Sequence, residues 1–532
     1  MEIENEMIKA VRGTRDILPP ETALWNFVES VVRDVFRAYN FQEIRTPIFE
    51  STELFARGVG EETDIVSKEM YTWYDGNNPV VALQAAWIAQ YSHKYDRIKQ
   101  YGPRSLTGHS NDHWTLIHLK YEPNIADLRD IEKLQTAEWS GGETQEPVAK
   151  PTLAIAAPED KIGVIRELAG DIEIQPVRMP DWFEAPASLT LRPEATAGIV
   201  RAYIEHKLGD RGLNKLYCIG PMFRRERPQK GRYRQFYQID AEIIGPASAG
   251  SESPARDAEL LEMLATLLDR LGIKNWTLEL NSVGSSAERA KFNEALRVAL
   301  APVKGQMCAD CQRRAVTNPL RVLDCKHPAD QPIIEKLPRI TDFLDDESRE
   351  KFADLRAILD AVGVPYHLNP RLVRGLDYYT RTAFEFTHGA LGAQNAILGG
   401  GRYDGLSEAL GGPRAPGIGF AIGEDRLILA LQESSPPVLK GPHAYIAPIG
   451  EGMNIEAAKL ARELRRHDLV IELGDRNFKL KKSFETATKS GAKYILMVGE
   501  DEVKADAFAL KNLATGIQIS VPRAELVRKI QE

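Results

Sequence analysis

Cysteine is scarce in this chain: four in 532 residues. That is too few for a disulfide framework, and it suits a reducing cytoplasm as the expected location. Long apolar runs are missing too. None approaches the roughly 18 residues that a membrane span needs, so no membrane partner is expected. The opening residues Met1-Glu2-Ile3-Glu4-Asn5-Glu6 are acidic and lack an apolar stretch, which does not read as a signal peptide. There is no internal repeat and no long low-complexity tract. A surplus of positive charge is absent as well: 68 Lys and Arg stand against 76 Asp and Glu, a net charge of −8. Such a chain does not coat nucleic acid by bulk charge, although local basic patches remain open to it. What is present is ordinary globular composition, at a length that calls for about three or four domains.

The organisation can be read from periodicity. Between Glu21 and Phe41 apolar residues recur at helical spacing (Leu24, Val28, Val31, Val35). A strand-like run from Glu43 to Phe49 follows, with Pro47 inside it, and a proline there belongs at a sheet edge or end. A strand, a helix and a strand pair are expected between Leu189 and Gly245, an amphipathic helix over Glu259–Leu271, and a strand over Trp276–Leu280. A largely helical stretch runs from Ser285 to Val362. Strand-rich sequence returns between Leu372 and Phe420, with a helix from Glu424. After the linker Pro436-Pro437, strands (444–448, 470–473, 494–498) alternate with helices (456–466, 480–489), predicting a small α/β domain with a parallel sheet.

The chemistry concentrates first in a hairpin. The strand Lys215–Phe223 ends in Arg224-Arg225-Glu226 and passes into a basic loop containing Lys230, Arg232 and Arg234. On the return strand Phe236, Gln238, Asp240 and Glu242 share one face, and Tyr237, Ile239, Ala241 and Ile243 the other. The second face reads as core; the first carries an amide and two acids, as an ordinary solvated strand face could. Phe-Arg-x-Glu, a basic loop and Arg-x-Phe together resemble the second signature motif of the class II aminoacyl-tRNA synthetases. By that resemblance Arg224 binds the ATP α-phosphate, Glu226 meets the adenine amino group, Phe236 stacks on the base, and Arg232 belongs to the ATP site. Pro47 and its preceding helix are similar to the first motif, which forms a dimer interface. Gly417–Arg426 resembles the third, in which small residues let the backbone approach a nucleotide and Arg426 covers the adenine opposite Phe236. Asp425 stands where that family commonly has Glu.

Two further segments resemble the histidine-specific motifs of the histidyl-tRNA synthetase family: Leu372-Val373-Arg374-Gly375-Leu376-Asp377-Tyr378-Tyr379 and Gly399-Gly400-Gly401-Arg402-Tyr403-Asp404-Gly405-Leu406. The resemblance implies that Arg374 is catalytic together with Arg224, binding the substrate carboxylate and α-phosphate. It implies that Tyr379 and Glu242 read the imidazole and that Tyr378 and Tyr403 shape the pocket. Leu191–Thr196 is similar to the segment that holds the α-amino group, making Glu194, Thr196 and Gln238 histidine-binding candidates. The implied fold is an α+β catalytic domain built on an antiparallel class II sheet, plus a C-terminal α/β anticodon-binding domain. The implied reaction is ATP-dependent, Mg²⁺-assisted activation of L-histidine and its transfer to the histidine transfer RNA by a homodimer. The other reading is a catalytically inactive paralogue that regulates ATP phosphoribosyltransferase in histidine biosynthesis; retention of Arg224, Glu226, Arg374, Arg426 and the C-terminal domain speaks against it.

On this reading the domains are catalytic parts at 1–75, 187–284 and 363–435, a helical insertion domain at 285–362 and an anticodon-binding domain at 442–532. Residues 76–186 form an acidic insertion, with 11 Lys and Arg against 16 Asp and Glu. Its four tryptophans (Trp87, Trp114, Trp139, Trp182) suggest a folded piece, and Gly141–Pro147 a loop. Its length of roughly 110 residues far exceeds an ordinary connection. No metal is assigned to the site residues. Cys308, Cys311, Cys325 and His327 have zinc-like ligand types, against which stands a reduced structural set. His109, His113 and His118 are too loosely spaced to assign. Lys479, Lys481, Lys482 and Lys489 suit RNA phosphates or a plain solvated helix face.

Overall fold

The computed structural model describes residues 9–60, 63, 65–74, 188–226, 228, 231–373, 378–391, 395–434, 436–437 and 441–532, with the backbone of three strands at 114–120, 152–158 and 173–178. The chain divides into two compact units, Met1–Ser435 and Pro436–Glu532.

The first unit is built on an eight-stranded sheet. Its order across is Gln42–Glu43, Asn214–Phe223, Gln235–Ile244, Gly417–Gly423, Ala396–Arg402, Thr380–His388, Trp276–Ser282 and His367–Leu368. The six central strands are antiparallel, as expected, and each two-residue edge strand is parallel to its neighbour. Alternation along Gln235–Ile244 sorts the return strand as its pattern predicts. Ile239, Ala241 and Ile243 are fully buried in a core completed by the helices Glu21–Ala38, Pro254–Arg270 and Glu424–Ser434. Burying each of the two isoleucine side chains stabilises the fold by about 1.5–3 kcal/mol. The opposite face is buried too: Gln238 is 6% exposed, and Asp240 and Glu242 are 0%. It is a wall, and not a solvated surface.

Two local expectations are corrected. The run Glu43–Phe49 is two strands, Gln42–Glu43 and Phe49–Ser51, separated by Pro47. The first pairs with Asn214–Phe223 and the second with Ser188–Leu191, so the proline, with no N–H to donate, sits where the chain crosses between two sheets. The helix expected from Glu259 begins at Pro254, because Ser253 caps it by accepting from the Ala255 N–H at 3.3 Å and Pro254 occupies its first position.

Tyr71–Tyr74 pairs directly with Ser188–Leu191, Trp73 facing Leu189 and Tyr74 facing Ser188. Residues 75–187 therefore leave and re-enter at adjacent strand ends. Within that segment Trp114–Lys120 is the centre of a three-stranded antiparallel sheet with Thr152–Pro158 and Glu173–Arg178. The Gly141–Pro147 loop, His109 and His113 lie outside the described residues, while His118 falls on the central strand.

The helical stretch has its own buried cluster, including Phe292, Leu296, Val322 and Ile340. Its first helix, Ser286–Leu300, opens with a capping box between Ser285 and Glu288. In the C-terminal unit Ala444–Pro448 lies between Ile471–Leu473 and Tyr494–Val498, all parallel as predicted. The sheet then continues with two antiparallel strands, Ala507–Asn512 and Gln518–Pro522, making it mixed and correcting the all-parallel expectation. A hairpin closed by Thr515-Gly516, with Gly516 at φ +75°, needs no crossover helix.

Candidate active site

A cavity of about 260 Å³ opens over the polar face of the hairpin. Its wall carries Glu194, Thr196, Arg224, Glu226, Arg232, Phe236, Gln238, Tyr378, Tyr379 and Arg426, ten of the thirteen residues singled out from sequence. Glu242 and Tyr403 stand immediately behind that wall, 0% and 1% exposed. Arg374 lies outside the described residues.

The acidic part of the site is organised by one helix start. Both carboxylate oxygens of Glu194 accept backbone N–H bonds, from Thr196 and Ala197, at 2.8 Å each, so Glu194 caps the helix Thr196–Glu205. The Thr196 hydroxyl then donates to Glu242 at 2.7 Å, and the Tyr403 hydroxyl donates to the other Glu242 oxygen at 2.6 Å. Asp240 lies one repeat away on the same strand face. Burial pushes the Glu194 carboxyl up, against the pull of its backbone donors. Burial raises Glu242 to about 8 despite its two hydroxyl partners. Asp240 is raised well above the carboxylate range, by burial and then by Glu242 and Glu194. Three buried carboxyls, Glu194 on the cavity wall with Asp240 and Glu242 on the strand beside it, favour a cationic ligand.

The basic part lies around the hairpin loop. Arg232 pairs with Glu226 at 3.1 Å. The Arg426 pKa is lowered, first by burial and next by Arg232, with Glu385 and Glu226 opposing. Guanidiniums that repel across a cleft are relieved by a polyanion. Arg224 belongs to both groups. Its Nε donates to the Pro193 carbonyl at 2.9 Å, its charge acts on Glu194 and Asp240, and its Nη1 is 3.8 Å from Glu226. The guanidinium sits 5.2 Å from the Phe236 ring centroid. The Gln238 amide oxygen is buried and has no hydrogen-bond partner, which leaves an acceptor on the wall for a ligand donor.

Several glycines make room for protein groups. A methyl group on Gly419 would overlap the Glu242 carboxylate, one on Gly417 would overlap the Tyr403 ring, and one on Gly401 would come within 2.8 Å of the Tyr379 ring. These positions are bare because the side chains opposite fill the space; only Gly399 and Gly423 of this group face the cavity. Gly419→Ala forces the Glu242 carboxylate out of its place and is expected to destabilise the fold by about 1–3 kcal/mol; a denaturant titration checks it, and a change under about 0.5 kcal/mol would overturn this account.

Arg402, inside the second histidine-type motif, is structural. It is 1% exposed and pairs with Asp257, with Asp404 at 3.0 Å and with the Ser251 carbonyl at 2.9 Å; Thr382 donates to Asp257 at 2.6 Å. Asp257→Ala removes one of the two carboxylate partners of a buried guanidinium and is expected to cost about 3 kcal/mol in a denaturant titration. Sequence reading missed Arg15. It joins Asp425 at 2.9 Å and Glu21 at 2.9 Å and packs on the Tyr233 ring at 4.9 Å, while the Arg234 N–H donates to the Gly13 carbonyl at 2.7 Å. The signal was the Arg12–Asp16 run, polar and glycine-containing just before a helix. Its partners lie too far along the chain for spacing to reveal.

An antiparallel sheet bearing a basic hairpin and an arginine-bearing helix after a glycine strand defines the catalytic unit of a class II aminoacyl-tRNA synthetase. The family model described as histidyl-tRNA synthetase matches residues 164–427, and that described as an anticodon binding domain matches 443–532. A relative from Koribacter versatilis, named histidine–tRNA ligase, is 55% identical over 98% of this chain and 95% of its own length. One of the same name from Solibacter usitatus is 44% identical over 98% and 99%. The solved apo histidyl-tRNA synthetase of S. aureus superposes with a TM-score of 0.65 at 31% identity, covering 99% of this chain and all of that one. The chain belongs to the histidyl-tRNA synthetase family.

Proposed function

We propose that this protein activates L-histidine with ATP to histidyl-adenylate and transfers the histidyl group to the 3′ end of the histidine transfer RNA. The observation that carries the proposal is the two-part cleft. The carboxyls Glu194, Asp240 and Glu242 gather on one side, Arg232 and Arg426 on the other, and Arg224 stands between them. An α-amino acid brings an ammonium to the first group, and ATP brings phosphates to the second. The amino-acid carboxylate and the α-phosphorus then meet at Arg224.

In the proposed roles, Glu194, Thr196 and Gln238 receive the α-amino group. Glu242 keeps lone pairs beyond the two hydroxyls it accepts from, enough to take an imidazole N–H, while Tyr379 meets the second ring nitrogen. Tyr378, edge-on to Tyr403 with ring centroids 5.9 Å apart, closes the pocket around a five-membered ring. Phe236 and Arg426 sandwich the adenine, Glu226 accepts from its amino group, and Arg232 neutralises phosphate. The carboxylate attacks in line at the α-phosphorus and pyrophosphate leaves. Arg224 and Arg374 stabilise the charge spreading over the phosphoryl oxygens. Mg²⁺ would arrive with ATP; the Glu385 carboxylate on the cavity wall offers the hard oxygen donor it takes, and the ion would supply neutralisation of the phosphates. The terminal ribose hydroxyl of the transfer RNA next attacks the activated carbonyl. No side chain is required as a covalent nucleophile.

Features outside the cleft support the remaining parts of the reading. Exposed Phe478 lies beside exposed Lys479, Lys481 and Lys482, a base-stacking ring among phosphate contacts that suits an anticodon loop; Lys489 is exposed on the same helix. Ile48, Phe49 and Trp73 are 45%, 49% and 38% exposed beside Pro47, an apolar surface suited to a homodimer interface. The catalytic parts bracket two separate pieces, the acidic 76–186 and the helical 285–362, with 442–532 as the anticodon-binding domain. No helix among the described residues is long and apolar enough to cross a membrane, and all four cysteines are free, in keeping with a cytoplasmic enzyme. Pyrophosphate exchange into ATP, run with each of the twenty amino acids and no transfer RNA, tests the proposal. Exchange with histidine alone is expected; none with any amino acid would sink the reading in favour of the regulatory paralogue.

A further inference from the structure

Three of the four cysteines converge among residues that do not line the cleft, and the fourth member of their group is not the one that ligand type suggested. The side-chain ligand atoms of Cys308, Cys311, Cys325 and Asp330 all lie within 4.8 Å of one another. We infer that these four residues form a structural zinc site, three thiolates and one carboxylate, in the helical piece between Ser285 and Val362. His327, three residues before Asp330, is more than half exposed, with its ring 3.8 Å from the Asp330 carboxylate.

The geometry fits a single tetrahedral ion. Zinc–sulfur bonds of about 2.3 Å and a zinc–oxygen bond of about 2.1 Å put two sulfurs about 3.8 Å apart, and sulfur and oxygen about 3.6 Å apart. Here Cys308 Sγ and Cys325 Sγ are 3.9 Å apart, and Cys325 Sγ is 3.3 Å from Asp330 Oδ2. A disulfide needs its sulfurs about 2.05 Å apart, and three thiols leave one over in any case. An iron–sulfur cluster spreads its cysteines over several irons, so ligand atoms this close suit one ion. Thiolates select zinc over magnesium or calcium.

Burial and backbone donors support the same assignment. Cys311 and Asp330 are fully buried and Cys325 is 7% exposed. The Cys308 N–H donates to both Asp330 oxygens at 3.1 and 3.3 Å, and the His327 N–H donates to Cys325 Sγ at 3.3 Å; such bonds orient ligands and stabilise thiolate. The four residues come from separate short elements: the cap and first turn of Ala309–Thr317, the turn after Val322, and the start of Gln331–Ile334. One ion therefore ties together a region with few long helices and a small core.

Gln331 donates to the Cys325 carbonyl at 2.7 Å, and its amide oxygen accepts from Arg371 at 2.7 Å. Val373 packs on the hydrophobic cluster that includes Cys308, Cys311 and Cys325.

The test uses the full chain, purified without a metal-affinity tag and analysed by plasma mass spectrometry. About one zinc per chain is expected, falling below about a tenth in Cys311→Ser and Asp330→Ala. Cys218→Ser, which changes the cysteine outside the cluster, keeps the metal, and Asp330→Cys keeps it as well. Because the loss variants carry a folding risk, the unaltered chain is also stripped with chelator and loaded with Co²⁺. Intense visible bands with sulfur-to-cobalt charge transfer mark tetrahedral thiolate ligation. Zinc retained by a folded Cys311→Ser, or a zinc-poor native chain that gives no cobalt–thiolate bands, would overturn the inference.

Discussion

Replacing Glu242 with glutamine is expected to lower kcat/KM for histidine in pyrophosphate exchange by about 10²- to 10³-fold, with the KM for ATP little changed. The carboxylate accepts at both oxygens, from Thr196 and from Tyr403, and still has capacity for a ring N–H. An amide keeps one acceptor and turns an N–H₂ toward a hydroxyl that was donating. The pH dependence gives the sharper check. Burial raises the Glu242 carboxyl to about 8, so the accepting form grows as pH rises toward that value. The wild-type kcat/KM for histidine should climb over that range, because this parameter reports the free enzyme's ionisations. The Glu242→Gln variant should lose the climb, and an identical profile in both would remove Glu242 from imidazole reading. Stability runs the other way. With its folded pKa raised, Glu242 contributes stability that is full below the ordinary carboxylate pKa and lost as pH rises through about 8. The variant's unfolding free energy relative to wild type should therefore improve between pH 5 and pH 9, by on the order of a few kcal/mol.

Arg224→Ala is expected to reduce single-turnover adenylate formation by about 10³-fold, chiefly in kcat. Arg224 is held by the Pro193 carbonyl at 2.9 Å and stands at the junction of the acidic and basic groups, where charge develops as the carboxylate attacks. An interaction gained mainly in the transition state moves kcat and kcat/KM together. Arg374→Ala should behave the same way, and a change confined to KM in either variant would contradict the assigned role. Arg426→Ala supplies the contrast. Its stacking role predicts a higher KM for ATP, worth about 1–3 kcal/mol, with a smaller effect on kcat.

Both predictions concern residues that were legible before any coordinates. The alternation along Phe236–Ile243 separates core from wall because a strand's side chains have a period of two, and the structure keeps that division residue by residue. What spacing did not convey is that the polar face is dry. Burial of Asp240 and Glu242 depends on the strand Gly417–Gly423 lying alongside, with Gly419 directly opposite Glu242. The glycines were visible, but their reason was not: the side chain each one accommodates lies on another strand. Pro47 was visible as a break, yet the two different sheets it connects could be seen only once Gln42–Glu43 and Phe49–Ser51 had found their partners.

By itself the sequence determined the multidomain character, the antiparallel hairpin with its arginines, the histidine-type motifs and the start of the C-terminal α/β unit. All of these rest on local periodicity or contiguous residues. Only the tertiary structure decided how Thr196, Glu242 and Tyr403 join, since the Tyr403–Glu242 bond spans 161 residues. The same is true of Arg402 as a buried ion-pair hub and of Arg15 as the tie on Asp425. It also decided that Asp330 completes the cysteine cluster where His327 had the expected ligand chemistry. Three residues along a tight turn separate an exposed ring from a buried carboxylate, and which of them turns inward is set by packing against distant elements.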